Sequence, residues 1–548
     1  MHRRGLAGGL AGLVAVTLLA ACARPIGDGG HSGRVTIVAV SDWHAQLEPL
    51  SVTVDGAPRP VAGAAVLAAY FDRERRENPG GTIVVTAGDA FGATPPLASL
   101  LEDVPAVEAQ NAMGFDIDTL GNHSFDHGLQ RLRKLMSLAR FRYVAANIVG
   151  PDERTITPPT HVFILNGLRV AVIGVGNPET PALVAPGRTG DYRFLDPVPL
   201  INAHAERLRG EGAHIVVVLA HLGATAVGPG GAPRGPLAEV ARAISGVDVL
   251  IGDHSDVSVN AVVGGALVVE NRSRGAEYAV IDLVYDRARR AVVQKSAIQK
   301  RPWADRIVPD ARVEAMIEGY RAQVRPLFDR KVGVAAAVLE RSRERESPLG
   351  NFETDVLRAA YGTQLAFDVS GALRDDLPSG YQPADRRLRR SAPGYVAGPP
   401  YDLVRGDFFA IFPFDNLAVT FRISGRGLWA ALENGLSHGL VEDGRFTNAA
   451  GRFLQISGFT YRFDPRRPPG RRVVAVRLLD GRPLRPDETE YTAVTSDFLY
   501  RGGDGYTMID NGSGTTRELI AETVGRAVQE QGTVTARIEG RIGEGSGE

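Results

Sequence analysis

Residues 121–128 read Gly-Asn-His-Ser-Phe-Asp-His-Gly, and the polar side chains in this stretch suit a metal-assisted phosphoryl transfer. Asn122 offers a carbonyl oxygen to a metal ion. His123 can touch a phosphate oxygen, and Asp126 can fix the ring tautomer of that histidine. Gly121 and Gly128 let the backbone turn tightly on either side. His127 reads as structural, because its neighbours already fill the two roles.

Outside this stretch, four more polar clusters follow apolar, β-branched runs. Residues 35–40 end in Ser41-Asp42-Trp43-His44, residues 82–86 in Ala87-Gly88-Asp89, residues 214–220 in His221, and residues 247–252 in Asp253-His254-Ser255-Asp256. Residues 116–120 lead into Gly121-Asn122-His123 in the same way. Short continuous apolar runs read as buried strands, and open α/β sheets bind ligands beyond the carboxyl ends of their strands. Five strand ends thus deliver Asp42, His44, Asp89, Asn122, His221, His254 and Asp256 to one rim. All are oxygen or nitrogen donors suited to hard or borderline divalent ions, and together they predict a two-metal site.

The order Asp-x-His, Gly-Asp, Gly-Asn-His-x-x-Asp, His, then His-x-Asp resembles the calcineurin-like metallophosphoesterases, and within them the two-domain 5'-nucleotidase/UDP-sugar hydrolase family. The resemblance covers nearly all of the chain beyond the leader. It implies two divalent ions (Mn, Zn, Mg or similar) bridged by Asp89. Asp42, His44 and Asp256 would complete the first ion, and Asn122, His221 and His254 the second. His123 and Asp126 match the family's catalytic dyad. One position departs: the family usually has His or Gln two residues after the last histidine, where this chain has Asp256, with Asp253 just before His254. An added carboxylate favours a harder ion such as Mn²⁺ or Mg²⁺.

At 548 residues the chain is too long for one core. Lys+Arg 62 against Asp+Glu 63 gives no basic excess, which argues against binding a nucleic-acid polymer. His2-Arg3-Arg4 and the apolar residues 6–20 read as an export signal, too short to span a membrane. Leu19-Ala20-Ala21-Cys22 resembles a bacterial lipoprotein cleavage box, which implies removal of residues 1–21 and a lipid on Cys22 as the protein's link to the membrane. Cys22 is the one cysteine of the sequence, so no internal disulfide is expected.

Residues 22–33 read as a polar tether. Over residues 34–305 alternating strands and helices predict an α/β fold, the metallophosphoesterase sandwich of the resemblance. Residues 306–330 predict a linker helix with Val313, Met316, Ile317, Tyr320 and Val324 on one face, ended by Pro326. Residues 331–543 form the second α/β domain, which the resemblance makes a 5'-nucleotidase substrate-binding domain. Its first long loop holds Arg386-Arg387-Leu388-Arg389-Arg390, read as a solvated basic run.

A nucleotide demands flat rings for its base, a carboxylate or amide for its hydroxyls and arginines for its anionic oxygens. Arg345-Glu346 with Gly350-Asn351, Gly371-Ala372-Leu373-Arg374, Pro413-Phe414-Asp415-Asn416, and Asp497-Phe498 with Gly502-Gly503-Asp504-Gly505-Tyr506 are similar to motifs of the family. The resemblance implies that Phe414 and Phe498 sandwich the base, Asp504 binds ribose hydroxyls, Asn416 touches the base, and Arg345 and Arg374 hold anionic groups. Val369 and Ala372 replace the family's usual Asn and Gly, so base preference stays open. The expected activity is release of phosphate from nucleoside 5'-monophosphates or related nucleotides by metal-activated water, at the extracytoplasmic face of the envelope. A 2',3'-cyclic-nucleotide phosphodiesterase, a UDP-sugar hydrolase or a thiosulfohydrolase would use the same scaffold. An inactive envelope-binding protein is the alternative outside the enzymes.

Overall fold

Strands that are apolar on both faces must be covered on both faces. The computed structural model describes residues 32–54, 57–228, 231–442, 445–447 and 451–545, and it shows that cover. The leader, Cys22 and most of the tether lie outside the described residues. Two six-stranded sheets stack face to face. The first runs in spatial order Ala291–Lys300, Tyr278–Asp286, Ser32–Val40, Thr82–Thr86, Ile117–Asp118 and Arg142–Tyr143. The second runs Val259–Val263, Ala266–Glu270, Val249–Ile251, Ile215–Ala220, Leu168–Val175 and Thr160–Leu165.

Alternate residues of these strands feed two layers. Ile37, Ile83 and Val85 meet Val170, Val172, Ile215 and Val217 between the sheets. Val38 and Val84 face the other way, toward helices Ala64–Glu77 and Val104–Met113. Val216 and Val218 do the same toward helices Pro197–Gly210 and Pro236–Ala243. Each such valine or isoleucine contributes about 1.5–3 kcal/mol on burial. Within each sheet the site-bearing strands are parallel: Ser32–Val40 pairs with Thr82–Thr86, and Ile215–Ala220 lies between Leu168–Val175 and Val249–Ile251. Their carboxyl ends therefore open on a common edge.

Helix Ala311–Phe328 leads from this sandwich to the second half. Asp310 caps it, accepting from the Arg312 and Val313 amides at 2.8 and 3.1 Å. The helix runs two residues past Pro326, where the sequence predicts its end. The proline sits in the final turn, so the helix forgoes the bond its nitrogen would have given and continues. Phe328 then meets Phe409 edge-on at 5.0 Å, while Arg321 pairs with Glu48 at 2.8 Å. One helix thus grips both halves.

The second half centres on a five-stranded sheet ordered Leu454–Ser457, Leu365–Val369, Glu490–Ser496, Leu417–Ser424 and Thr515–Leu519. Helix Pro348–Tyr361 starts where Ser347 caps it, accepting from the Gly350 amide at 3.0 Å, with Pro348 at its first position. The basic run is only partly solvated. Arg390 is buried against Asp407 at 2.7 Å and also donates to the carbonyls of Ser379 and Tyr381. Arg387 pairs with Asp385 and Arg386 lies over the Tyr395 ring. The run stitches its own loop together.

Candidate metal centre

Asp89 sits where two glycines make room for it. A Cβ on Gly121 would lie 2.0 Å from Asp89 Oδ1, and one on Gly88 (φ 106°) would lie 2.7 Å from both the Gly121 nitrogen and His221 Nδ1. Asp89 is buried, and its Oδ1 accepts from the His123 amide at 2.9 Å. Its Oδ2 lies 3.0 Å from His221 Nε2, which is also 3.0 Å from Asn122 Oδ1. With Nδ1 donating to the Ala87 carbonyl at 3.0 Å, His221 directs Nε2 toward these two oxygens. His44 is set the same way, its Nδ1 2.8 Å from the Gly92 carbonyl. Asp42 accepts from the His254 amide at 2.8 Å. Asp42, His44, Asp89 and His254 all hold left-handed backbone, with φ of 40°, 47°, 44° and 88°. Such residues cost about 1–3 kcal/mol each and persist where surrounding structure holds them.

Donor atoms converge in three overlapping groups: His44, Asp89 and His123; Asp89, His221 and His254; Asp42, His221 and Asp253. Within each group they lie within 4.8 Å of one another. Two buried acids that the sequence reading missed hold the turns. Asp118 accepts from the Gly88 and Thr119 amides at 3.0 and 2.7 Å, and Glu270 from the Ala224 amide at 2.8 Å and the Ser255 hydroxyl at 2.5 Å. Burial pushes both carboxyls up to about 8. Each is an acid closing an apolar strand, and that was the available signal.

Beside the cluster, His123 Nδ1 lies 2.8 Å from Asp126 Oδ2. Burial would lower its pKa, but the carboxylates of Asp126 and Asp89 outweigh it and raise it. The second half reaches in here. The Phe414 ring stacks on His123 with centroids 5.6 Å apart and planes 18° apart. The Arg374 guanidinium lies 5.7 Å from that ring, and its Nε is buried without a hydrogen-bond partner. Burial, with Arg343 and Arg274 nearby, pulls Arg374 down to about 9. Arg274 Nη2 in turn donates to the Arg374 carbonyl at 2.8 Å, tying the halves together over the site.

Residues 331–511 match the family model described as the 5'-nucleotidase C-terminal domain. The whole structure resembles the crystal structure of a 5'-nucleotidase precursor from Thermus thermophilus, with a TM-score of 0.79 and 28% sequence identity, over 93% of this chain and 99% of that one. The chain therefore has the two-domain fold of a 5'-nucleotidase, with a 5'-nucleotidase C-terminal domain over residues 331–511. Endonuclease YhcR of Bacillus subtilis (strain 168) is 28% identical over 482 residues, 84% of this chain but 37% of that protein, so the chain spans little more than a third of this relative. Cell wall protein Lmo0130 of Listeria monocytogenes serovar 1/2a is 27% identical over 567 residues, 92% of this chain and 69% of that protein.

The 5'-nucleotidase family consists of metal-dependent phosphoesterases, and the donor set here fits metal ions. Asp42 Oδ1 and Asp253 Oδ2 are buried without hydrogen-bond partners. Burial would lower the His221 pKa, yet the neighbouring carboxylate of Asp89 lifts it to about 9, so the cluster calls for positive charge. Burial raises Asp42 to about 6, helped by Asp89. Burial and His221 pull His254 down to about 3, leaving a neutral imidazole able to ligate.

Two 5'-nucleotidase positions expected from the sequence fall elsewhere. Asp256 is exposed, and its Oδ1 accepts from the Ser273 amide at 2.7 Å, outside the convergent groups. The left-handed backbone of His254 and Asp256 (φ 88° and 57°) carries the chain away and leaves Asp253 facing in. Arg345 is also exposed, while Arg343, two residues earlier, lies among the charges that act on Arg374, His254 and Asp504. Residues 343–345 form a bend, which turns Arg345 outward and leaves Arg343 on the inner side. Asp504 is buried on left-handed backbone (φ 53°), and burial pushes its carboxyl up to about 7 against the pull of Arg452 and His123. Phe498 is half-buried, its ring 2.4 Å from where a Gly503 Cβ would stand. Asn416 is half-buried, with its carbonyl accepting from the Ile520 amide at 3.0 Å.

Proposed function

We propose that this protein is an exported phosphohydrolase that releases phosphate from nucleoside 5'-monophosphates or related nucleotides. The observation that carries the reading is the stacking of Phe414 on His123. It brings an aromatic face from the second half onto the histidine beside the metal cluster, so that base and phosphate can be held in one cleft. Asp42, His44, Asp89, Asn122, His221 and His254 would hold two divalent ions. Bound there, the ions supply Lewis-acid activation of water and positive charge for phosphoryl oxygens.

His123 does the remaining proton work. Asp126 occupies Nδ1, so Nε2 is the atom that can donate to a phosphoryl oxygen or to the departing alkoxide. Arg374 and Arg343 add fixed positive charge for the phosphate. Phe414 and Phe498 flank the base, Asn416 meets its edge, and Asp504 accepts ribose hydroxyls. Among the described residues no helix is long and apolar enough to cross a membrane, and a lipid on Cys22 is the proposed anchor.

The test is product formation with Mn²⁺, Mg²⁺ and Zn²⁺: phosphate from AMP, a nucleoside monophosphate from a 2',3'-cyclic nucleotide, UMP and glucose 1-phosphate from UDP-glucose, and sulfate from thiosulfate. AMP is expected to give the highest kcat/KM. A higher value for another substrate replaces the substrate class, and no turnover of any by metal-loaded protein leaves an envelope-binding protein.

A further inference from the structure

Asp253 follows the strand Val249–Ile251 by two residues, and its side chain is fully buried. Its Oδ1 accepts from the His254 amide at 3.1 Å, and its Oδ2 has no hydrogen-bond partner. Asp42 is in the matching position. Its Oδ2 accepts from the same His254 amide at 2.8 Å, and its Oδ1 has no partner. Two carboxylates therefore share one N–H donor, and each leaves one bare oxygen in the interior. Oxygens of both acids and a ring nitrogen of His221 lie within 4.8 Å of one another. Facing buried carboxylates repel, and the arrangement is favourable when a cation or a shared proton sits between them.

We propose that Asp253, and not Asp256, is a ligand of the metal ion that Asp42 holds. The proposal rests on the metallophosphoesterase reading and assigns a residue that the family pattern leaves out. Asp256 has other work: its Oδ1 accepts from the Ser273 amide, and its carbonyl accepts from Arg272 Nη1 at 2.8 Å, which fixes the turn after His254. Asp253 is one residue before His254, so the change moves the carboxylate from one side of that histidine to the other. The centre then carries three carboxylates, Asp42, Asp89 and Asp253. Such a set prefers hard ions, Mn²⁺ or Mg²⁺, over Zn²⁺.

The experiment uses the full mature chain, stripped by chelation and titrated with Mn²⁺, with bound equivalents counted by elemental analysis and affinities read by calorimetry. Wild type and Asp256→Asn are expected to bind two equivalents with the same affinities. Asp253→Asn is expected to lose one equivalent, or to bind it more weakly by at least the roughly 10–100-fold that removal of a supporting residue costs. Asp253→Glu, which keeps a carboxylate, is expected to recover part of that loss. Melting temperatures separate a ligand from a structural acid. Metal-free Asp253→Asn should melt no lower than metal-free wild type, because a bare buried carboxylate has become neutral, while its gain on adding Mn²⁺ should shrink. Wild-type Mn²⁺ affinity in Asp253→Asn, a lower metal-free melting temperature, or loss of an equivalent in Asp256→Asn would each overturn the assignment. Failure of wild type to bind Mn²⁺ would overturn it too, and would remove the metallophosphoesterase reading with it.

Discussion

At the metal rim Asp42, Asp89, Asn122 and His221 are buried, and backbone amides, carbonyls or ring nitrogens stand within hydrogen-bond distance of each. In the second half Phe414, which stacks on His123, is half-buried like Asn416 and Phe498, and Arg374 keeps a buried Nε without a partner. The rim uses strained backbone and buried acids to hold its donors in place before any ligand arrives. The second half leaves rings and a guanidinium for the ligand to engage. On the proposed reading, the chemistry is preorganised in the first half, while the second half chooses what is brought to it.

The largest effect should come from breaking the rim. Asp89→Asn removes the carboxylate common to two of the donor groups, and hydrolysis of every substrate is expected to fall to background with metal content reduced. Normal turnover at full metal occupancy would move the centre away from Asp89. Next is the dyad. His123→Asn is expected to lower kcat by roughly 10²–10⁴-fold while metal content stays near wild type. Loss of a metal equivalent would make His123 a ligand, a role its place in a donor group with His44 and Asp89 allows.

On the recognition face the effects are smaller and depend on substrate. Loss of a charged hydrogen bond costs about 1.5–3 kcal/mol, so Arg343→Ala should lower kcat/KM for AMP by roughly 10- to 100-fold. The exposed Arg345→Ala should stay within about 0.5 kcal/mol of wild type. The reverse ranking would restore Arg345 to the site. Asp504 gives a pH signature. Its carboxyl titrates near 7 because burial disfavours the charge. The carboxylate, which on the proposed reading accepts ribose hydroxyls, is therefore the minor form below that pH and the major form above it. KM for AMP should fall by up to about tenfold from about pH 6 to about pH 8 as that form fills. Asp504→Asn should flatten the change, and an unchanged profile in that variant would assign the titration elsewhere.

Much of the rim was legible because its residues sit at the ends of apolar runs, where topology alone brings them to one edge. Asp42, His44, Asp89, Asn122, His221 and His254 all converge as that argument requires. Asp256 did not, because the turn after a strand is set by left-handed backbone at His254 and Asp256, which composition does not reveal. Edge strands such as Ala291–Lys300, largely exposed along one face, carry too little apolar pattern to stand out in the sequence. The second half is legible through motifs rather than periodicity, and the motif pointed to Arg345, which the structure leaves exposed while Arg343 lies among the charges that act on Arg374.

The division of labour between the halves is tested most directly by Phe498→Ala, measured as the ratio of kcat/KM for AMP to that for p-nitrophenyl phosphate. A stacking ring is worth about 1–3 kcal/mol, so the ratio should fall by about tenfold or more while p-nitrophenyl phosphate turnover holds. Equal losses on both substrates, or no loss on either, would contradict the account, the first by making Phe498 a core residue and the second by removing the nucleobase from the site.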